Sequence, residues 1–243
     1  MTQLYLIRHG EATTQIGVSL HDEGLTPLGV RQAERLRDRL QGTHEIVPDV
    51  FIASTLPRAR QTAQIIAPAF DNTPLLYDEQ VQELYPGIAE QMTVAEFRER
   101  FGGYRLDEDP FHPVSPNGET WGQFVLRAGT ALNRIITEHE GKTIVVVCHG
   151  GIIDVSFIYF LGLETLTTPT TRFDTRNTSI THWGKWTNNP KRPPRWWLAR
   201  YNDDLHVRGL DANFPIPWSE MPTPPYKEWA QARPQPTKPP TEQ

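Results

Sequence analysis

The sequence is poor in the features that mark several large protein classes. One cysteine in 243 residues can form no internal disulfide, so a reducing, cytoplasmic setting is the simple reading. No apolar run approaches the ~20 residues of a membrane span, so no membrane partner is expected. Basic residues are outnumbered, 24 Lys and Arg against 29 Asp and Glu, for a net charge of −5. That balance, with a pI near 5.9, runs against the basic excess of a general nucleic-acid binder. A signal peptide is not expected either, because Gln3–Arg8 already reads as structure, with no basic region and apolar stretch before it. What is present suits a soluble globular chain: 37% hydrophobic and 22% charged residues, long enough to bury a core without staples.

Proline is abundant, and its distribution divides the chain. Twelve of the 22 prolines lie between Pro190 and Pro240. Residues 1–212 read as one domain, and 213–243 as a proline-rich extension, irregular or partly disordered. Phe214, Trp218, Tyr226 and Trp229 within it leave open that its first part lies against the domain. If it crosses to a neighbouring chain, a homodimer follows.

Before the tail, strands and helices alternate. Leu4–Ile7, Val50–Ala53, Leu75–Tyr77 and Ile144–Val147 are short apolar runs suited to buried strands. Thr26 as N-cap, Pro27 at the first position and Gly42 as a stop frame a helix with Val30, Ala33, Leu36 and Leu40 on one face. Pro57–Phe70, Thr93–Phe101, Glu119–Glu138 and Ile152–Leu161 complete the helices. Phe124, Leu132, Ile135 and Ile136 are the core candidates of the long one. Ser179–Lys185 and Trp196–Tyr201 are the last strands, and Tyr104–Pro116 reads as a loop. This alternation predicts an α/β fold: a three-layer sandwich with a mostly parallel sheet flanked by helices.

In such sheets, sites form beyond the carboxyl ends of the strands. There the chain carries Arg8-His9-Gly10-Glu11, then Ser54 through Arg58-Ala59, then His149-Gly150-Gly151. Two arginines and two histidines suit a phosphoryl group. Arg grips two oxygens with a flat fork of N–H groups, and a neutral His can act as nucleophile near pH 7. A second histidine beside bound phosphate would tend to be protonated, and no metal is needed if the arginines carry the charge. Arg58 at a helix start is an unusual place for a cation and points to an anion there. Two competing readings fail. Asp154 stands six residues after Cys148, where a cysteine phosphatase needs Arg, and Ile136 replaces the first glycine of a P-loop before Gly141-Lys142-Thr143. His21, His44, His112 and His139 show no metal-ligand spacing. His182 and His206 read as structural or solvent-exposed, and Trp183, Trp186, Trp196 and Trp197 as core and sheet-face residues.

Leu6-Ile7-Arg8-His9-Gly10-Glu11 resembles the signature of the histidine phosphatase superfamily, which includes the cofactor-dependent phosphoglycerate mutases. Leu25 through Gly29 with Gln32-Ala33, Ser54 through Ala63, Glu83 with Gly87 and Glu90, Pro116 through Glu119, Val147 through Gly151, Asn177 through Ile180, and Tyr201 through His206 resemble further blocks in order. The resemblance implies a phosphoglycerate mutase-like fold and a phosphohistidine on His9. It implies Glu83 as the acid, with Glu79, Glu90 and Glu11 as nearby alternatives. Arg8, Arg58, His149 and Gly150 would hold the phosphoryl oxygens. Many members carry Asn six residues after the first histidine; here Gln15 stands there and is carried over as a phosphate contact whose amide sits one methylene further out.

The resemblance implies a metal-independent phosphomonoesterase that needs no cofactor and acts on a small phosphorylated metabolite. A cofactor-dependent phosphoglycerate mutase is the alternative, although those mutases usually have a longer insertion between the acid and the Pro116–Glu119 turn. A non-catalytic scaffold with a partner-binding tail is the third. The cap over the phosphate is expected from about Tyr85 to His112, with Tyr85, Arg98, Arg100, Tyr104, Arg105 and Phe111.

Overall fold

The structure, a computed structural model, describes residues 1–16, 20–71, 73–103, 109–163, 173–186 and 195–210. The apolar run at the start forms β1 (Thr2–Arg8), and α1 (Pro27–Thr43) follows. The Thr26 hydroxyl caps α1 by accepting Gly29 N–H at 3.1 Å. The helix runs past Gly42 and ends at His44, which adopts the left-handed conformation (φ 49°) and donates its N–H to the Leu40 carbonyl. Thr43 Oγ1, bonded to the Arg39 carbonyl at 2.8 Å, holds this one-residue extension. Next come β2 (Val50–Ser54) and α2 (Pro57–Ile66). α2 is shorter than its periodicity predicts, because Pro68 has no N–H to offer the preceding turn; residues Ala67–Phe70 tighten into a 3-10 turn. β3 (Leu75–Asp78), α3 (Val94–Phe101) and α4 (Trp121–Glu138) follow. A reciprocal capping box between Thr120 and Gln123 starts α4, leaving Glu119 outside the helix. The chain continues through β4 (Thr143–Cys148), α5 (Gly150–Leu161), β5 (Ile180–Trp186) and β6 (Arg195–Asp203).

The six strands lie in the order β3-β2-β4-β1-β5-β6. β1, β2, β3 and β4 are mutually parallel, while β5 and β6 are antiparallel additions beyond β1. The sheet is therefore mixed, with its parallel part in the middle and on one side. Successive residues of β1 face opposite layers, as a pleat requires. Leu4 and Leu6 pack with Phe124, Leu132 and Ile135 of α4 and Ile152 of α5. Tyr5 and Ile7 pack with Leu36 and Leu40 of α1 and Ala59, Ala63 and Ile66 of α2. Val145, Val146 and Val147 are fully buried at the centre, which explains the unbroken apolar run of β4. Each such side chain contributes roughly 1.5–3 kcal/mol by leaving water.

The expected burial holds with small exceptions. Val30 is half-buried while Gly29 is buried. Trp183 is core, but Trp186 is 53% exposed. His182 and His206 are both buried. Tyr104, Arg105 and the proline-rich extension lie outside the described residues.

Register decides what meets at the sheet edge. Ile7 pairs with Val147, and Val147 pairs with Ala53. One step later Arg8 pairs with Cys148, so His9, Ser54 and His149 leave the sheet side by side. The turn after β1 is built for closeness: a Cβ on Gly10 would stand 2.5 Å from the Gly29 carbonyl oxygen, and one on Gly29 would stand 2.0 Å from that of Glu11. No helix among the described residues is long and apolar enough to cross a membrane.

Candidate active site

A cavity of about 440 Å³ lies over this edge. Arg8, His9, Gln15, Arg58 and Glu83 line it, together with Asp22, Tyr85, Glu90 and Arg98. His149 sits deeper and fully buried, its ring centroid 5.1 Å from that of His9. Gly150 opens α5, so its N–H has no intrahelical partner; its Cβ position would be 3.8 Å from Arg8 Nε.

His9 is held from every side. Its N–H donates to the Cys148 carbonyl at 3.0 Å, and its own carbonyl accepts from Asn177 Nδ2 at 3.0 Å and Thr178 N at 3.3 Å. The ring Nδ1 bonds the Gly10 carbonyl at 2.6 Å, which requires a hydrogen on Nδ1. Arg58 Nε donates to Nε2 at 3.2 Å. These partners assign the tautomer with its lone pair on Nε2, facing the arginines. Burial, then the charges of Arg58 and Arg8, push the ring's pKa well below 6.5 and keep it neutral.

His149 is also held neutral by burial, followed by Arg58, His9 and Arg8. Its Nε2 pairs with Ser54 Oγ at 2.8 Å, and that oxygen accepts Leu56 N–H at 3.3 Å. The Ser54 hydroxyl can donate to Nε2 or accept from it, so this bond fits either ring tautomer. A phosphoryl dianion beside the ring would oppose both the burial and the cations. His149 Nδ1 and Arg8 Nε are buried atoms with no hydrogen-bond partner among the described residues. Another Arg8 nitrogen donates to the Thr175 carbonyl.

Arg58 stands in the first turn of α2, and the chain supplies an anion to it. Asp22 Oδ2 accepts from Arg58 Nη1 at 2.6 Å, and both side chains are about nine-tenths buried. The negative charge expected at this helix start is therefore partly internal. Thr62 Oγ1 ties the turn together, bonding the Arg58 carbonyl at 2.8 Å and accepting Gly10 N–H at 3.0 Å.

Glu83 reaches the cavity from the segment after β3. Its carboxylate accepts Leu84 N–H at 3.0 Å and Gly151 N–H at 3.1 Å. Among its alternatives, Glu11 is bonded to the Thr26 hydroxyl at 2.7 Å, Glu79 lines a separate groove beside β3, and Glu90 lines the same cavity as Glu83. Gln15 Oε1 accepts from Ala12 N and Asn177 Nδ2, which leaves its NH₂ group as the end available to an oxyanion. Of the expected cap residues, Tyr85 and Arg98 line the cavity, Arg100 lies over the Phe101 ring, and Phe111 packs beside Gly122. Cys148 is buried, and its thiol is pushed up by that burial. Asp22, Thr62 and Ser54 are contributors that sequence reasoning did not single out as site residues. Ser54 carried a signal in its position at a strand end, and Thr62 in the block that resembles the family, while Asp22 carried none.

Comparison with known proteins agrees with this geometry. A family model of the histidine phosphatase superfamily (branch 1) matches residues 4–202. A probable phosphoglycerate mutase, GpmB, of Proteus mirabilis is 30% identical over 219 residues, 86% of this chain and 97% of that protein. A metal-independent phosphoserine phosphatase of Arabidopsis thaliana is 27% identical over 65% of this chain and 68% of its own length. Among solved structures, a phosphoserine phosphatase mutant from Entamoeba histolytica in complex with phosphoserine is 27% identical with a TM-score of 0.65, covering 85% of this chain and all of that one. YhfR of Bacillus stearothermophilus, 27% identical over the same shares, has a TM-score of 0.69.

Proposed function

The chain belongs to the histidine phosphatase superfamily, and from that premise we propose that it is a metal-independent phosphomonoesterase acting on a small phosphorylated metabolite. His9 Nε2 attacks the phosphorus in line, an N–P bond forms, and the ester P–O bond breaks. Glu83 gives its proton to the leaving oxygen, then takes one from the water that attacks the phosphohistidine, releasing phosphate and free His9. Arg8, Arg58 and His149 hold the peripheral oxygens as charge gathers on them. Gln15 and the Gly150 N–H add neutral donors.

One observation carries this reading. A neutral histidine with an outward lone pair shares its pocket with two buried nitrogens, Arg8 Nε and His149 Nδ1, that have no hydrogen-bond partner among the described residues. An unmet buried donor costs roughly 1–3 kcal/mol; a phosphoryl group would meet the Arg8 Nε–H, and His149 Nδ1 once that atom carries a hydrogen. Arg98 and Glu90 in the cavity lining support a substrate whose body is small and charged. Relatives named phosphoserine phosphatases make phosphoserine the first metabolite to try. The single buried cysteine is in keeping with a cytoplasmic setting.

The test is hydrolysis of p-nitrophenyl phosphate with EDTA present, wild type against His9→Ala. The wild type should turn over and the variant should lose at least about a thousandfold. Equal rates would remove His9 from the reaction. The second reading is a mutase, favoured by the name of the Proteus relative. Turnover that requires added bisphosphoglycerate, with phosphate passed to a sugar acid rather than water, would select it.

A further inference from the structure

Pro116 through Glu119 and the middle of α4 take no direct part in the chemistry above, yet they govern the segment that carries the acid. Arg127 projects from α4 with a side chain 19% exposed, against Glu119 at 18%. Its Nε and Nη2 grip Glu119 Oε1 and Oε2, both at 2.7 Å, in a two-bond fork. The remaining N–H groups reach the backbone around Glu83. Nη1 donates to the carbonyls of Gln80 (2.8 Å) and Gln82 (3.0 Å), and Nη2 donates to that of Glu83 itself (3.2 Å). All five guanidinium hydrogens are thus used, three of them on one four-residue segment.

Glu119 closes the other side. Its Oε2 accepts Tyr85 N–H at 2.9 Å, and its own N–H donates to the Tyr85 carbonyl at 2.9 Å. The backbone is therefore clamped before and after Glu83, from a rigid helix and its capped entrance. Arg127 is not among the residues that line the cavity.

We propose that Arg127, set by Glu119, is the positioning residue that holds the Glu83 carboxyl where a leaving-group oxygen arrives. The proposal rests on the reading of Glu83 as the acid. A general acid acts only within hydrogen-bond reach, and a misplacement of about 1 Å can cost about a hundredfold. Lysine cannot replace the arginine, because it offers a point charge instead of a five-hydrogen fork.

The experiment separates positioning from structural support by leaving-group dependence. kcat/KM is measured across aryl phosphates from nitrophenyl to unsubstituted phenyl for wild type, Glu83→Gln, Arg127→Lys, Arg127→Gln and Glu119→Gln. Nitrophenolate leaves without a proton, so the Arg127 variants should stay within about threefold on nitrophenyl phosphate and lose about tenfold or more on phenyl phosphate. Their dependence should approach that of Glu83→Gln, with Glu119→Gln between them and wild type. An equal loss on every substrate would reveal a merely structural role and overturn the proposal. If Arg127→Gln does not fold, Glu119→Gln decides by the same criterion, an unchanged dependence overturning it. If Glu83→Gln itself shows no steeper dependence, the acid reading fails with Arg127 intact, and the proposal falls with its premise.

Discussion

At the scale of single residues, the arrangement turns on proton placement. His9 must be neutral, with its lone pair on Nε2, and the structure supplies a cause for each. The Gly10 carbonyl holds the hydrogen on Nδ1, while burial and two guanidiniums oppose a second proton. In water the opposite tautomer is the commoner one, so the prediction is specific. Long-range ¹H–¹⁵N spectra of the histidine rings, assigned with His9→Ala, should show His9 in the Nδ1–H form with no titration from pH 8 down to about 5.5. A midpoint near 6.5 would mean that the pocket does not hold it neutral.

The residue scale is also where legibility in the sequence divides. His9, Arg8, Arg58 and His149 each follow a strand within a short block, so local pattern and topology bring them to one edge before any coordinates exist. Asp22 gives no such sign. Its partner Arg58 lies 36 positions away, and only the folded chain reveals the ion pair. Thr62 and Gly10 meet across 52 positions, and Arg127 and Glu83 across 44. A buried Asp in a loop and an Arg on an amphipathic helix look like solvated charges until the fold places them.

Among elements, α5 shows most clearly how a helix start becomes part of a site. Two glycines open it, and they are not equivalent. A Cβ on Gly151 would stand 2.2 Å from Glu83 Oε1 and 2.9 Å from the Phe124 ring. A Cβ on Gly150 would meet nothing nearer than 3.8 Å. Gly151→Ala should therefore displace the Glu83 carboxyl and lower kcat/KM for phenyl phosphate by about tenfold or more, whereas Gly150→Ala should stay within about threefold. Thermal melts of both variants accompany the rates; a Gly151→Ala protein as active as wild type would show that Glu83 has room to spare. The elements were legible wherever periodicity and caps agreed, as in β4 and α1. They were misjudged where a chemical detail overrode the pattern. Pro68 cuts α2 short by withholding a donor, Thr43 and His44 carry α1 past Gly42, and the fold packs Glu119 into a clamp rather than a first helical turn.

The whole molecule buries four histidines, His9, His149, His182 and His206, and this links folding to pH. Burial comes first for each; Arg200 adds to it for His182, and Arg39 for His206. His182 falls to about 4 and His206 to about 3, while the other two lie well below 6.5. In the unfolded chain all four return to about 6.5. Between the folded and unfolded values the unfolded state binds more protons, so stability is complete above pH 6.5 and falls as pH drops below it. Carboxylates act in a lower window. Burial alone would raise Glu45 and Asp203, but their bonds to Arg39 outweigh it and hold both below their ordinary values. Their contribution is present above about pH 4 and is lost beneath it. Between pH 6.5 and 5, therefore, the four buried histidines dominate the slope among the described residues, each approaching roughly 1.4 kcal/mol per pH unit as its ring becomes protonated in the unfolded chain while staying neutral in the folded one. Urea unfolding of the wild type should show a steep decline over that interval. His206→Gln should remove one group and make the decline shallower by about 1 kcal/mol per pH unit. That variant lowers stability at pH 7.5 as well, since His206 bonds Thr178 Oγ1 at 3.0 Å, so the slope and not the intercept is the test. A wild-type stability that stays flat from pH 7 to 5 would mean these rings take up protons in the folded protein as readily as in the unfolded one.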